Sequence, residues 1–267
     1  MGECKVQFAV FTKPWKIPLP QLGEFVRSLG FEGIELPVRP GYQVEPENVS
    51  KALPEAARIL AGCGVRIFSI AGPTDERTIA ACAEAGVPTI RVCLHVPREK
   101  TYLEAESDWK REYDALVPAL DKYGVRIGVQ NHCGNSTLDA MYLRHLIEDY
   151  DPRHIAAVWD AGHSGLCGEE PRLGLDIVWS HLCMVNLKNA FWIRSTGPEA
   201  EDVKWKTYWT TGRQGMSSWP EVARALKERN YRGPVCLTAE YSDHDSVNRL
   251  IAEDMAFAMS LFKQAAG

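Results

Sequence analysis

The chain has 267 residues, 45% of them hydrophobic and 24% charged, with a net charge of −5. That length can bury a full core, and the interspersed acids and bases leave no basic face for nucleic acid or an anionic membrane. Met1 to Lys5 leads straight into a strand-like run without the apolar centre of a signal peptide. No later segment approaches the roughly 18 apolar residues of a membrane span. The expectation is a cytoplasmic protein whose partners are small molecules. The cysteines include no Cys-x-x-Cys pair and read as reduced, buried thiols.

Along the chain two periodicities alternate. Val6 to Phe11 predicts a first strand, and Leu22, Phe25, Val26 and Leu29 at helical spacing predict the helix after it. Gly33 to Leu36 reads as a second strand, Pro46 to Leu60 as a helix and Val65 to Ile70 as a third strand. A helix opened by Thr74 and closed by Gly86 leads to a fourth strand, Thr89 to Leu94. The second half repeats the scheme: helix Glu104 to Tyr123, strand Val125 to Val129, helix Asp139 to Tyr150, strand Ile155 to Trp159. A weaker helix at Gly174 to Trp179 precedes a strand, Leu182 to Leu187. Ser218 can cap a helix from Trp219 to Arg229, with Pro220 in the first turn, where a missing N–H costs least. Val235 to Ala239 is the eighth strand, and Ser246 to Lys263 is the closing amphipathic helix.

Eight strand-then-helix units predict an α/β fold, a (β/α)8 TIM barrel built as a single domain over residues 1–267. No Gly-x-Gly-x-x-Gly follows the first strand, which argues against a dinucleotide fold. The exception to short connections is Lys188 to Ser217, a loop long enough for a lid or binding loop. It carries Phe191, Trp192, Trp205, Tyr208 and Trp209. Such aromatics suit a sugar ring or a subunit interface, and the second reading would make the chain a homo-oligomer.

In a barrel of this kind the chemistry sits where strands end. The polar residues there are Lys13 and Trp15 (first strand), Glu35 and Arg39 (second), His95 (fourth), Gln130 and His132 (fifth), Asp160 and His163 (sixth), Asn186 and Lys188 (seventh) and Glu240 (eighth). Trp15, Glu35, Arg39, His95 and His132, with Trp192 of the long connection, are the expected substrate contacts. Each taken alone has an ordinary reading too, because polar caps at strand ends satisfy backbone groups.

Four stretches together resemble the xylose isomerase-like barrels, which include sugar and sugar-phosphate isomerases and epimerases, inosose-type enzymes and endonuclease IV. They are Gly30-Phe31-Glu32-Gly33-Ile34-Glu35-Leu36, Trp159-Asp160-Ala161-Gly162-His163, Val185-Asn186-Leu187-Lys188-Asn189, and Gly212-Arg213-Gln214-Gly215 through Tyr231-Arg232-Gly233-Pro234 to Ala239-Glu240-Tyr241. The resemblance implies a divalent metal held by Glu, Asp, His and Glu at the ends of strands five to eight. Asp160 and Glu240 match, but Gln130 stands where the family has Glu and Asn186 where it has His. Asn189 also replaces the family's Asp, and Arg213-Gln214 interrupts its Gly-Glu-Gly. The expected ligand set is therefore Gln130, Asp160, Asn186 and Glu240, an all-oxygen group of charge −2 suited to Mn²⁺ or Mg²⁺. The alternative is a site that has lost its metal, where the two amides bond the substrate directly.

The resemblance further implies proton abstraction next to the carbonyl of a keto-sugar or sugar phosphate. With Gln130 in place of a base, one face of the substrate has none. Glu240 is then the expected general base, with His132 or Glu35 as the alternatives, His163 a proton shuttle and Lys188 the stabiliser of enediolate charge. Three readings stay open: an isomerase or epimerase, a lyase or dehydratase on a keto-sugar or inosose, and a non-catalytic sugar-binding relative. An endonuclease IV-like role is disfavoured, because Ala71, Gln130 and Asn186 occupy strand ends where a multi-histidine cluster would need ligands.

Overall fold

In a computed structural model, which describes residues 6–263, the alternating elements build a closed parallel barrel. Its strands are β1 (Gln7–Phe11), β2 (Gly33–Pro37), β3 (Arg66–Ala71), β4 (Thr89–Cys93), β5 (Arg126–Gln130), β6 (Ile155–Asp160), β7 (Leu182–Leu187) and β10 (Pro234–Leu237). Closure comes from β1 pairing with β10, Phe8 opposite Val235 and Val10 opposite Leu237. Around it lie α1 (Leu19–Ser28), α2 (Val49–Gly62), α3 (Glu76–Ala85), α4 (Tyr102–Tyr123), α5 (Ala140–Ile147), α7 (Pro171–Val178), α8 (Trp219–Glu228) and α9 (Val247–Lys263).

Because a parallel barrel is covered on both faces, its strands read as continuous apolar runs. Ile34, Ile70, Ile90 and Val185 join Leu22, Leu53, Ile79 and Leu226 of the helices in one apolar shell. A second, smaller cluster of Ala9, Phe11, Phe68, Val158, Met184 and Cys236 fills the barrel interior. Beside it, Glu35, Ser69 and Arg91 are buried as well.

Caps set the helix bounds. Asp75, not Thr74, caps α3 by accepting the Thr78 N–H at 3.1 Å, so that helix starts later than the sequence pattern suggests. Thr101 and Glu104 form a reciprocal capping box that starts α4 earlier than expected.

Two elements depart from the expectations. The connection after Lys188 is no loop but an antiparallel hairpin of β8 (Asn189–Arg194) and β9 (Trp205–Thr210), with Phe191 stacked on Tyr208 at 5.2 Å. Its aromatic and β-branched residues favour strand pairing over a structureless lid. The segment after β6 is a six-residue helix, α6 (Ala161–Leu166), capped by Asp160. Among the described residues no helix is long and apolar enough to cross a membrane.

Candidate active site

Strand register brings the expected residues to one end of the barrel. Asp160 lies opposite Asn186 across β6 and β7, and Gln130 lies opposite Val158, two residues short of Asp160 on the same strand. Gln130 Nε2 donates to Asp160 Oδ2 at 3.0 Å, and Asn186 Nδ2 donates to Gln130 Oε1 at 3.2 Å. The other Asp160 oxygen accepts the His163 N–H at 3.0 Å. Asn131 pins the end of β6, accepting the Asp160 N–H at 2.7 Å and donating to Ser164 Oγ at 3.0 Å.

Glu240 is held differently. Its Oε2 accepts from Lys188 Nζ at 2.7 Å and its Oε1 from Lys13 Nζ at 2.5 Å. Ala239, just before it, has φ 52°, a left-handed backbone that a side chain tolerates only at a cost of order 1–3 kcal/mol. The strain turns the chain where Glu240 meets its lysines.

Small residues let α6 approach this cluster. A Cβ on Gly162 would lie 3.0 Å from the Lys188 carbonyl, and one on Gly165 would lie 2.9 Å from the Ser217 nitrogen. Asn189 anchors the hairpin through all its bonding capacity. Its Nδ2 donates to the Gly212 and Ser217 carbonyls at 3.0 and 2.8 Å, and its Oδ1 accepts from Ser217 N at 3.0 Å and Ala190 N at 3.1 Å. An aspartate cannot donate to two carbonyls, which accounts for the amide at this position. The hairpin carries Trp209 over the Lys188 ammonium, 3.7 Å from the ring centroid, with His163 edge-on at 5.1 Å.

The two carboxylates are pushed apart. Burial raises Asp160 to about 6, against the lowering pull of Lys188 and the His163 N–H. Burial also works to raise Glu240, but Lys188 and Lys13 outweigh it by charge and hydrogen bond and hold the group at about 2. Glu240 is thus a weak base with both oxygens engaged, whereas Asp160 titrates near neutrality. The shuttle expected at His163 does not match its surroundings: burial and the nearby Lys188 keep the ring neutral, well below the usual 6.5.

Beyond this cluster the expected contacts separate. His132 packs against His163 at a tilt of 32°, with ring centroids 3.9 Å apart, and His95 meets His132 edge-on at 5.4 Å. Arg39 and His95 line a groove of about 420 Å³ with Gly72 and Arg91. Trp15 is buried and donates to Asn248 on α9. Trp192 is exposed, with its N–H on the Leu166 carbonyl. Glu35 is fully buried, its oxygens gripped by Arg91 at 3.0 and 2.7 Å and by Ser69 at 3.0 Å. It is therefore placed in the barrel interior, linked to the Asp160 cluster only indirectly: Arg91 donates to Cys93 Sγ at 3.3 Å, and Cys93 Sγ lies 3.6 Å from the Gln130 oxygen. Arg91 was missed by sequence reasoning; a lone arginine within an apolar barrel strand was the available signal, since a buried charge needs a partner.

Residues 24–261 match the profile of the xylose isomerase-like TIM barrel family. The chain belongs to that family. Comparison with curated proteins gives no match. Among solved structures, this xylose isomerase-like barrel is similar to D-psicose 3-epimerase in the presence of D-fructose, at 13% identity and TM-score 0.72, covering 96% of this chain and 99% of that one. It is also similar to the probable 3-DHS dehydratase involved in petrobactin synthesis from Bacillus anthracis, at 14% identity and TM-score 0.73, over 95% and 99% of the two chains. A third is 3-keto-D-glucoside 4-epimerase from E. coli, at 12% identity and TM-score 0.71, over 96% and 100%. Identities this low speak for a common fold alone.

Members of this family commonly hold a divalent metal at the ends of strands five to eight, but the residues of this barrel do not fit a resident hard ion. A Mg²⁺ or Mn²⁺ site needs several oxygens aimed at one point. Here both Glu240 oxygens accept from ammonium groups, both Asp160 oxygens accept from N–H groups, and the Gln130 oxygen accepts from Asn186. Of the four expected ligands only Asn186 leaves a buried oxygen, Oδ1, without a partner. Two lysines already balance the two carboxylates, and a doubly charged ion about 4 Å from an ammonium is repelled by about 8 kcal/mol at an effective dielectric constant of about 20. Among the described residues, one group of His, Cys, Asp or Glu side chains brings its ligand atoms close enough to hold a metal ion: His132, Cys133 and His163, all within 4.8 Å of one another.

Proposed function

We propose that this chain moves a proton beside the carbonyl of a keto-sugar or sugar phosphate, as an isomerase or epimerase, with Lys188 in the electrostatic role that the family assigns to a divalent ion. The observation that carries this reading is the split between two neighbouring carboxylates, one locked in its charged form by two lysines and one near neutral pKa. Such divergent pairs mark acid–base assignments.

In this reading Asp160 takes the proton from the carbon next to the carbonyl. The C–H electron pair forms the new C=C bond, and the carbonyl pair moves onto oxygen. Lys188 stabilises that oxygen, held in place by Glu240 on one side and Trp209 on the other. Among the buried polar atoms of the described residues that lack protein partners are the donor His163 Nε2–H and the acceptor Asn186 Oδ1, and they supply contacts for the substrate's oxygen and hydroxyl. The neighbouring hydroxyl gives its proton to that oxygen and becomes the new carbonyl, while protonated Asp160 returns its proton to the former carbonyl carbon. A single base thus serves both steps of an isomerisation, whereas epimerisation requires a proton donor on the opposite face. Gln130 orients Asp160 and takes no proton. An expected Mn²⁺ or Mg²⁺ at Gln130, Asp160, Asn186 and Glu240 has no part in this scheme.

The fold shared with D-psicose 3-epimerase and 3-keto-D-glucoside 4-epimerase supports this reading. The test is incubation with keto-sugars and their phosphates in D₂O, with and without added Mn²⁺ or Mg²⁺. The expected result is solvent deuterium beside the carbonyl of an isomeric product, at a rate that neither ion raises. Loss of water from the substrate would replace this reading with a dehydratase. Ligand-induced stabilisation with no exchange would leave a sugar-binding protein.

A further inference from the structure

The geometry points to a binding site for a borderline transition-metal ion such as Zn²⁺, formed by His132, Cys133 and His163 beside, and separate from, the oxygen-rich strand ends. His132 Nδ1 lies 2.8 Å from the Cys133 carbonyl, an acceptor only, so the proton sits on Nδ1 and the Nε2 lone pair is free. A backbone carbonyl on the non-ligating nitrogen is the usual way a metal-binding imidazole is oriented. His163 Nδ1 lies 3.2 Å from Cys133 Sγ and accepts the Cys133 N–H at 3.2 Å, a bond its single lone pair gives up to take a metal ion beside the sulfur.

Tetrahedral zinc, with Zn–N and Zn–S bonds of about 2.05 and 2.3 Å, sets its nitrogen and sulfur about 3.5 Å apart. The 3.2 Å pair needs to open by only a few tenths of an ångström. His132, half-buried on the segment after β5, must move further, since the ligand atoms of the three residues lie within 4.8 Å of one another. Both rings are neutral through burial, as ligands must be. On binding, the Cys133 S–H bond breaks, its proton goes to solvent, and a sulfur–metal bond forms. The fourth position remains for water or a substrate oxygen, and His163 Nε2–H stays unligated, still able to donate. One carboxylate-free set of two imidazoles and a thiolate selects Zn²⁺ over Mg²⁺ or Mn²⁺.

The inference stands apart from the proposed reaction, because its test reads the metal and not turnover. Full-length protein, stripped with a chelator, is titrated with Co²⁺ as a spectroscopic substitute. The expected result is one equivalent bound, with tetrahedral visible bands and a thiolate-to-cobalt charge-transfer band. In Cys133→Ser the charge-transfer band disappears and affinity falls by more than about tenfold, while Glu240→Gln binds as the wild type does. Absence of binding, a weak octahedral spectrum, or dependence on Glu240 with indifference to Cys133 would overturn it. Should Cys133→Ser misfold, X-ray absorption of the zinc-loaded wild type decides: a sulfur neighbour supports the site, and an oxygen-only shell refutes it.

Discussion

Glu35 with Arg91 and Asp160 with Glu240 are two buried acidic sites in one barrel, and the difference lies in how far the protein itself completes them. The first is closed. Arg91 grips both oxygens of Glu35 in a bidentate pair, Ser69 adds a third bond, and Arg91 packs over Phe11 at 4.8 Å. The second is left open: Glu240 is saturated by lysines, but Asp160 is denied a cation in contact, and His163 Nε2 and Asn186 Oδ1 have no protein partner. A barrel interior can thus hold charge for stability or for chemistry, and unsatisfied polar atoms beside split carboxylates distinguish the second use from the first.

The largest effect belongs to the closed pair. Arg91→Met strands a buried carboxylate, and breaking such a pair costs about 3–5 kcal/mol. Urea denaturation should show that loss, with most of it recovered in Glu35→Gln/Arg91→Met. A single variant as stable as the wild type would mean that Glu35 has water or another partner, and the contrast with the rim would fail. At the open site the expected change is in rate. Lys188→Met should slow deuterium exchange by about 10²- to 10³-fold, the scale for losing one oriented stabiliser of developing negative charge, with the barrel still folded by circular dichroism. Equal losses of stability and rate would make Lys188 a structural residue like Arg91.

How much of this was legible depends on whether the signal was local. Strand and helix order followed from periodicity, and the strand-end pool contained Gln130, Asp160, Asn186, Lys188, Glu240 and Lys13, because β/α alternation fixes which residues end strands. Three features could not be read. The hairpin was hidden because strand pairing of Phe191 with Tyr208 depends on a partner 17 positions away. Glu35 looked like a rim residue because its partner Arg91 lies on a different strand. The split of the carboxylates needs three-dimensional distances to two lysines, one of them more than two hundred residues distant in the chain.

Trp209 sharpens the contrast at smaller scale. Its ring faces the Lys188 ammonium, which is only 7% exposed, and a desolvated contact of this kind contributes about 2 kcal/mol. Trp209→Ala should therefore lower kcat/KM roughly thirtyfold, while Trp192→Ala, whose ring is exposed, should change it far less. Similar losses in both would point to a collapsed hairpin.

The pH dependence of the rate carries the smallest effect on turnover, and its sign, set against that of stability, discriminates. Asp160 must be ionised to accept a proton, so kcat/KM should rise with pH through about 6 and level off above it, with roughly a tenfold deficit one unit below. Glu240, held at about 2, stays charged throughout and adds no limb. Stability moves the other way for Asp160: with its folded pKa raised from 3.8 to about 6, the native state binds the proton more tightly than the unfolded chain. Its contribution is greatest at acid pH and withdraws, by about 3 kcal/mol, as pH climbs from about 4 to 6. Asp254, raised to about 6 by burial against the Gly212 N–H and Tyr241 hydroxyl, has the same stability sign but touches neither Asp160 nor Lys188. Asp254→Asn should therefore flatten the stability profile and leave the rate limb near pH 6 in place. A rate limb that moved with Asp254→Asn would assign the titrating group to α9 and remove Asp160 from the role of base.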